Sequence, residues 1–455
     1  MNCDLTTNRS SLQEVSYSMH HGPTKLKDSR YAWFMLLLVL LVNFVVAGNF
    51  NSFGITYTII RDYFSDASGS ETGWILGLLM GCRCLLSPFM GALAMVIGPR
   101  KCIVLGGFLC AGSLLLAVPA YSVVHMAVTL GALFGTGMCM AETPGYFIVT
   151  DYFDKHNAIA NGIRSAGNPM GGLVFSPLVV LLHQKFGFQG AFVMMAGITL
   201  HLILIGMLVR SFEQQKTILE ARRWQEMLSS KQNARLRSLS LQLQDVRRAK
   251  RKPLDCGFFK NPLYLTYLFV VVSTTAALPN ALFYLPVYGK SIGLTDMQNS
   301  MLCSYHDLCD LAMRLFCGWV FSHKTLNKIH GFVAGLVVGA AGCLVTPLCG
   351  SLWQLIIPTT MFALCMGFFW TLINVLLKDQ FGGEAMSSTW GFFRMVQGIC
   401  SFMYPPFIGF IMDYSGGMTT PYVFMGSMLA LAAVTFSSQY FWTRKTDLVT
   451  DDNSD

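Results

Sequence analysis

The sequence of 455 residues is 53% hydrophobic and only 12% charged, with a net charge of +8 and a mean hydropathy of +0.50. Soluble domains carry about 25% charged residues, so this composition excludes an ordinary soluble protein and favours a membrane protein. The basic residues lie mostly in loops between apolar segments, which gives no support to nucleic-acid binding.

Twelve apolar segments follow one another along the chain. A bilayer core about 30 Å thick is crossed by about 20 helical residues, which is close to the length of each segment. The segments are apolar on all sides, unlike the striped helices of soluble α-proteins, and the first is too long for a cleaved signal sequence. We therefore predict an all-α polytopic membrane protein with spans at 31–58, 72–97, 102–120, 123–149, 158–183, 189–210, 263–289, 297–321, 330–350, 352–377, 387–412 and 421–443.

The loops between these spans divide the basic residues unequally. Of 32 lysines and arginines, 25 lie in segments that face the cytoplasm if both termini are inside. Only Arg61, Lys185 and Lys290 lie in the loops on the other side. Because cytoplasmic loops carry the excess of basic residues, this asymmetry predicts that both termini are cytoplasmic.

The spans fall into two sets of six around a long basic loop that is expected near the anionic inner leaflet. This is the layout of the major facilitator fold, in which the substrate site lies at midmembrane between the two halves. The predicted organisation is a cytoplasmic N-terminal tail (1–30), an N-terminal half (31–210), a cytoplasmic loop (211–262), a C-terminal half (263–443) and a cytoplasmic C-terminal tail (444–455).

Several ionisable residues stand at midspan, where a charge costs about 2.5–3.5 kcal/mol on insertion scales. Asp310 and Arg314 are i,i+4 neighbours on one helix face, and Asp307 lies one turn earlier. Two carboxyls beside one guanidinium need not both ionise, so one could exchange a proton. The alternative is an inert ion pair that fixes helix packing. The residues predicted to meet in a cavity are Arg83, Arg164, Arg314, Arg394, Glu142, Asp307, Asp310 and His306.

Four arginines against three acids leave this cavity neutral to positive, which suits an organic anion such as a carboxylate. Phe368, Phe369 and Trp370 could hold an apolar tail, although aromatic residues in a span more often serve packing. No nucleophile–base set, phosphate-binding loop or metal-ligand spacing is apparent, so neither an enzyme nor a cofactor or metal is expected.

Several segments resemble the monocarboxylate transporters, solute carrier family 16, and the resemblance covers all twelve spans. The strongest match is to the span-five signature, and the span-one signature is present in a degraded form. The matching segments are DYFDKHNAIANGIRSAGNPMGG (151–172), DSRYAW (28–33), YGKS (288–291), the D-x-x-x-R of Asp310 and Arg314, and PPFIGFIMD (405–413).

The resemblance implies facilitated or proton-coupled movement of a monocarboxylate or related small organic anion by alternating access, at the plasma membrane. It assigns Asp310 and Arg314 to proton and carboxylate handling, and Asn161 and Phe369 to the lining of the pocket. Some relatives pair with a single-span immunoglobulin-like glycoprotein for surface delivery. The candidates for proton coupling are Asp310, Asp307, Glu142 and His306.

The chain also departs from this family. Asn51 aligns with a lysine of the lactate-carrying relatives, and Arg164 stands where the family usually has a small residue. Loss of the lysine argues against proton–lactate symport by the usual route. One alternative is a facilitative carrier of a larger or zwitterionic solute, resembling the carriers of aromatic amino acids and thyroid hormone. The other is a non-transporting relative that acts as a sensor or scaffold.

Overall fold

The computed structural model describes residues 27–212, 214–215, 217–219, 261–322 and 327–452. Within these ranges every regular element is a helix. We number the membrane-spanning helices α1 to α12 in chain order.

The first six spans precede the predicted central loop. Ser29 caps the N-terminus of the first, and Ser68 forms a capping box with Glu71 at the start of the second. Gly187, with φ at 70°, breaks the helical run between the fifth and sixth. Their bounds are α1 (Arg30–Tyr63), α2 (Gly69–Leu85 and Ser87–Ile97, bent by 49°), α3 (Pro99–Ala117), α4 (Val123–Tyr152), α5 (157–186) and α6 (188–208).

The second six spans follow it. They are α7 (Pro262–Phe283, with a short helix Leu285–Ser291 after it), α8 (Asp296–Ser322), α9 (Lys328–Leu348), α10 (Leu352–Phe381), α11 (Thr389–Ser415) and α12 (Thr419–Asp452).

Helical backbone continues from α10 into α11, yet the chain reverses between them. Trp370 and Arg394 would be about 36 Å apart along one straight helix. The Arg394 guanidinium carbon instead lies 5.8 Å from the centroid of the Trp370 ring. The two spans are therefore antiparallel neighbours.

Length and composition alone qualify nine helices of the described residues as membrane spans, or ten when the bent pair is included. One of the nine contains both α5 and α6, and the charges of Asp307, Asp310 and Arg314 interrupt the apolar sequence of α8. The predicted twelve-span fold is confirmed.

The structure differs most from the predicted span ends at α1, α7 and α12, and α7 ends at Phe283, six residues before its predicted end. Helix α1 continues to Tyr63, and α12 continues to Asp452 through most of the predicted C-terminal tail. A helix can run on past the bilayer surface, where its polar residues meet water, so hydropathy understates its length. The parts of the predicted tails and loop at 1–26, 220–260 and 453–455 lie outside the described residues.

Glycines let the two sets of spans approach closely around the centre. A Cβ added to Gly73 would lie 2.7 Å from the Pro405 carbonyl oxygen, and one added to Gly77 would lie 2.8 Å from that of Phe402. Small residues of this kind allow close backbone packing between membrane helices. Helix α2 is thereby packed directly against α11, which brings Arg83 and Arg394 to one cavity.

Candidate functional site

A cavity of about 1080 Å³, counting its solvent-open part, lies between the two sets of spans. Helices α1, α2, α4 and α5 line it from one set, and α7, α8, α10 and α11 from the other. Its ionisable lining residues are Arg83, Glu142, Arg164, His306, Asp307, Asp310, Arg314 and Arg394. The charges that the sequence places at midspan therefore meet in one polar space between helices.

On α8, Arg314 and Asp310 form a close ion pair. The Arg314 Nε lies 3.0 Å from each carboxylate oxygen of Asp310, and its Nη2 lies 2.8 Å from Oδ2. Both side chains line the cavity, with 12% and 5% of their surfaces exposed. Asp310 thus accepts from Nε and Nη2 of Arg314, and the Nη1 donors of Arg314 remain for another acceptor.

Arg83 and Glu142 form a second buried pair, between α2 and α4. The Arg83 Nε and Nη2 donate to Glu142 Oε2 at 3.0 and 2.6 Å. The Phe50 ring covers the guanidinium, whose carbon lies 4.1 Å from the ring centroid. Both side chains are less than a tenth exposed, so this pair neutralises itself inside the protein.

Arg164 and Arg394 have no carboxylate partner within ion-pair distance among the described residues. The Arg164 guanidinium stacks 3.8 Å from the centroid of the Tyr146 ring, and its Nε lies 3.4 Å from the Asn161 side-chain oxygen. Arg394 donates to Gln397 at 2.8 Å. These contacts orient the two cations without neutralising them, so the cavity holds positive charge that an anion can use.

Asp307 is an acidic residue of the cavity that belongs to neither arginine ion pair. Its Oδ1 is 3.2 Å from His306 Nδ1 and 3.5 Å from the Asn51 amide nitrogen. The same nitrogen of Asn51 donates to the backbone carbonyl of Asn168 at 3.2 Å. Asp307 is 1% exposed, and no lysine or arginine of the described ranges lies within ion-pair distance of it.

Most of the predicted site residues come together in this cavity. Arg83, Arg164, Arg314, Asp310, Asp307, Glu142, His306, Asn51, Phe369 and Arg394 all contribute to its lining. Asn161 does not: its amide is held by Asn157 one turn away, with its nitrogen 2.7 Å from the Asn157 side-chain oxygen. Of the predicted aromatic set, Phe369 and Trp370 line the cavity, whereas Phe368 packs against Gly335 of α9.

Several lining residues were missed by the sequence analysis: Asn168, Tyr146, Trp390 and Gln397. A spacing signal existed for all four. Tyr146 follows Glu142 by one turn, and Asn168 follows Arg164 by one turn. Trp390 and Gln397 flank Arg394 at i−4 and i+3, so each of the four lies on the helix face of a predicted residue.

Polar contacts join the two sets of spans at one end of the bundle, and we call this group of contacts the latch. Lys290 pairs with Asp62 across the sets and with Asp296 at 2.9 Å. Asp413 accepts hydrogen bonds from the backbone N–H groups of Gly69 and Ser70 at the N-terminus of α2, at 3.0 and 3.1 Å. The latch therefore joins α1, α2, α8 and α11 at the end that carries the connections after Tyr63 and Ser415.

The latch keeps its charged groups ionised but consists of individually weak contacts. Although partial burial lowers the pKa of Lys290, the hydrogen bonds that Lys290 donates to Asp62 and Asp296 raise that pKa above its ordinary value. Exposed ion pairs contribute only about 0–1 kcal/mol each, and Asp62 is 60% exposed. Contacts of this strength can hold one conformation without locking it.

Comparisons with known proteins agree with this architecture. A sequence model of the Major Facilitator Superfamily matches residues 39–329. Monocarboxylate transporter 12 of Xenopus laevis is 24% identical over 426 residues, with 92% of this chain and 90% of that protein covered. Monocarboxylate transporter 2 of Rattus norvegicus is 25% identical over 405 residues, with 86% and 81% covered.

A solved structure, that of a D-xylose-proton symporter, is similar to this chain with a TM-score of 0.63. The similarity covers 89% of this chain and 97% of the symporter at 14% sequence identity. At that identity the likeness concerns the fold alone.

Proposed function

Because the chain belongs to the major facilitator superfamily, we propose that its central cavity carries a monocarboxylate or a related small organic solute by alternating access. The chain is a multi-pass membrane protein similar over most of its length to monocarboxylate transporters, and it is a secondary transporter. The observation that carries the substrate proposal is the presence of Arg164 and Arg394 in the cavity without carboxylate partners among the described residues.

Arginines at this depth are costly to insert, which argues for a use beyond packing. A carboxylate can take two parallel hydrogen bonds from one guanidinium. Arg314 has such donors free beside Asp310, and Arg164 and Arg394 add positive charge across the cavity. Trp370 and Trp390 offer apolar surface for the rest of the solute.

Alternating access needs two ends that close in turn. We propose that the latch is the external gate and that the cavity of this structure faces the cytoplasm. Support comes from the basic-residue asymmetry, which puts the connections after Tyr63 and Ser415 outside. Solute binding between α8 and α11 would then bias the rocking of one set of spans against the other.

Loss of the latch should favour opening at that end. In Asp413→Ala, two hydrogen bonds to the α2 N-terminus disappear, and because Asp413 is exposed we expect about a twofold to fivefold effect. The measurement is the rate at which a cysteine placed at Ser165 in a cysteine-depleted background reacts with a membrane-impermeant thiol reagent added outside. Asp66→Ala, at an exposed acid in the neighbouring connection, is the matched control. Equal rates in both variants would mean that Asp413 does not gate the cavity.

Orientation follows from the same proposal. We propose that both termini are cytoplasmic and that the protein resides in the plasma membrane. Epitope tags on either terminus should become accessible to antibody only after permeabilisation of expressing cells. Labelling of an N-terminal tag on intact cells would contradict the proposed orientation. A single-span immunoglobulin-like partner, as the family resemblance implies, would be detected by co-purification from the same cells.

Proton linkage is proposed to be weak for lactate. Asn51 stands where lactate-carrying relatives have a lysine, and its amide can neither carry charge nor exchange a proton in the working pH range. The remaining proton candidates are Asp310, Asp307, Glu142 and His306, while the cavity arginines stay protonated throughout.

We therefore expect lactate uptake to be low and nearly equal at external pH of about 6 and about 8, across the range in which an unperturbed histidine titrates. Asn51→Lys should increase the acid-side uptake if the rest of the site accepts a small monocarboxylate. A steep acid-side rise in the wild type that Arg314→Ala abolishes and Asn51→Lys leaves unchanged would contradict this account. The substrate class would then return to lactate-like acids.

A further inference from the structure

Three buried polar atoms of the cavity-lining residues have no hydrogen-bond partner among the described residues. They are Oδ2 of Asp307, Nε2 of His306 and the side-chain oxygen of Asn168. Asp307 and His306 are each 1% exposed, so these atoms are not satisfied by bulk solvent. Buried polar groups are normally paired, and a cluster of unpaired ones calls for an explanation.

The tautomer of His306 follows from its neighbour. An ionised carboxylate only accepts hydrogen bonds, so the contact at 3.2 Å then has Nδ1 as its donor. Oδ2 of Asp307 and the side-chain oxygen of Asn168 are acceptors whatever the state of the ring, and the group that they fit must be a donor.

The charge balance points the same way. Two cavity arginines are already neutralised, Arg83 by Glu142 and Arg314 by Asp310. This leaves Arg164 and Arg394 as cations without a carboxylate partner among the described residues, and Asp307 as a buried carboxylate whose described polar contacts are the His306 ring and one long amide contact. A carboxylate is costly to bury, and a ligand cation beside it would offset that cost.

The backbone of α5 also accommodates Asp307. A Cβ on Gly172 would collide with Oδ2 of Asp307, so glycine at this position lets the carboxylate lie against the helix. Ser304 on α8 donates to the Leu173 carbonyl at 3.0 Å and fixes the register of the two helices. The position of the carboxylate is thus defined by packing before any solute arrives.

We infer that Asp307, with His306 and Asn168, forms a binding subsite for the ammonium group of a zwitterionic solute, whose carboxylate is received by the cavity arginines. The inference rests on the proposed function and narrows its substrate class to amino acids or similar compounds. An ammonium has three donors, one positive charge and no acceptor, which matches a carboxylate with the Asn168 oxygen as a second acceptor. Asn51 supplies a neutral edge to this subsite in the place where a lysine would repel the ammonium.

The test compares matched pairs of probes that differ only in the amino group. Purified protein in liposomes is assayed for uptake of 4-aminobutyrate against butyrate, and of phenylalanine against 3-phenylpropionate. We expect saturable uptake of the zwitterion to exceed that of its amine-free partner in at least one pair. In Asp307→Asn, uptake of that zwitterion should fall about tenfold or more, the loss for one charged hydrogen bond, while uptake of the amine-free acid is kept or increased.

Two further variants separate a binding role from a structural one. Asp307→Glu keeps the charge and should retain the preference for the zwitterion, and Asp379→Asn, at an exposed acid outside the cavity, should behave as wild type. Thermal stability of each purified variant is measured alongside uptake. Should Asp307→Asn prove too unstable, each probe is tested for protection of a cysteine at Ser165 in protein that keeps Asp307, where the zwitterion of a pair should protect better than its amine-free partner and equal protection would overturn the subsite.

The outcomes distinguish the two proposals. Equal or preferential uptake of the amine-free acids, unchanged in Asp307→Asn, would overturn the ammonium subsite and leave the carboxylate carrier standing. Absence of saturable uptake for all four probes would overturn the proposed function and the subsite with it.

Discussion

Arg314→Ala is expected to abolish carboxylate uptake with little loss of folded protein, since both members of its ion pair line the cavity. The guanidinium is the part of the α8 pair that can receive a carboxylate, and Asp310 consumes only part of its donor set. Truncating one partner of a buried charged contact costs about 2–5 kcal/mol, which corresponds to a loss of about thirtyfold or more in uptake. The measurement is initial-rate uptake by purified variants in liposomes, normalised to the amount of reconstituted protein.

Companion variants identify what the pair does. Arg314→Lys keeps the charge but loses the fork, so it should recover only part of the rate. Asp310→Asn should uncouple or abolish transport. The double exchange Asp310→Arg with Arg314→Asp should not restore the full rate, since it restores the pair but reverses its direction along α8. If all of these variants transport normally, the pair is structural.

Glu142→Gln is expected to reduce the yield and thermal stability of the protein, because it leaves the Arg83 guanidinium buried without its partner. Both side chains are less than a tenth exposed, and the pair lies beneath the Phe50 ring. Breaking a buried pair by removing one partner costs about 3–5 kcal/mol. The measurement is the midpoint of thermal unfolding of purified protein in detergent.

The double variant Arg83→Gln with Glu142→Gln removes both charges and should recover most of the lost stability, because replacing both partners is often nearly neutral. Asp379→Asn breaks an exposed pair with Lys328 and should change stability by at most about 1 kcal/mol. A double variant as unstable as Glu142→Gln alone would contradict the assignment. A stable double variant that does not transport would assign Arg83 and Glu142 to substrate binding instead of to the packing of the helices.

The sequence was sufficient for the fold because the membrane imposes a simple rule on composition. A helix in lipid must be apolar for about 20 residues, and each such run is visible without any knowledge of contacts. The same rule made Arg83, Arg164, Arg314 and Arg394 stand out, since a charge in a span is rare. The rule says nothing about where helices continue outside the bilayer, which is why the end of α1 at Tyr63 was not predicted.

The detailed site could not be predicted because it depends on which polar atoms remain unpaired. Asn161 and Asn168 are both asparagines of α5, yet only Asn168 lines the cavity. Asn161 has its amide satisfied locally by Asn157, while the side-chain oxygen of Asn168 has no hydrogen-bond partner among the described residues. Likewise Arg83 and Arg394 both appear in the sequence as arginines at midspan. Only the packing of α2 on α4 shows that Arg83 has a carboxylate partner, Glu142.

The most direct test of the central claim, that this cavity moves organic acids across a membrane, is counterflow in liposomes that contain only the purified protein. Vesicles preloaded with unlabelled 4-aminobutyrate, butyrate, phenylalanine or 3-phenylpropionate are diluted into the labelled form of the same compound. We expect label to accumulate transiently above its equilibrium level for at least one compound. This accumulation should be absent in protein-free vesicles and in vesicles that contain Arg314→Ala. Label that never exceeds the protein-free level with any of the four compounds would contradict the account and favour a sensor or scaffold.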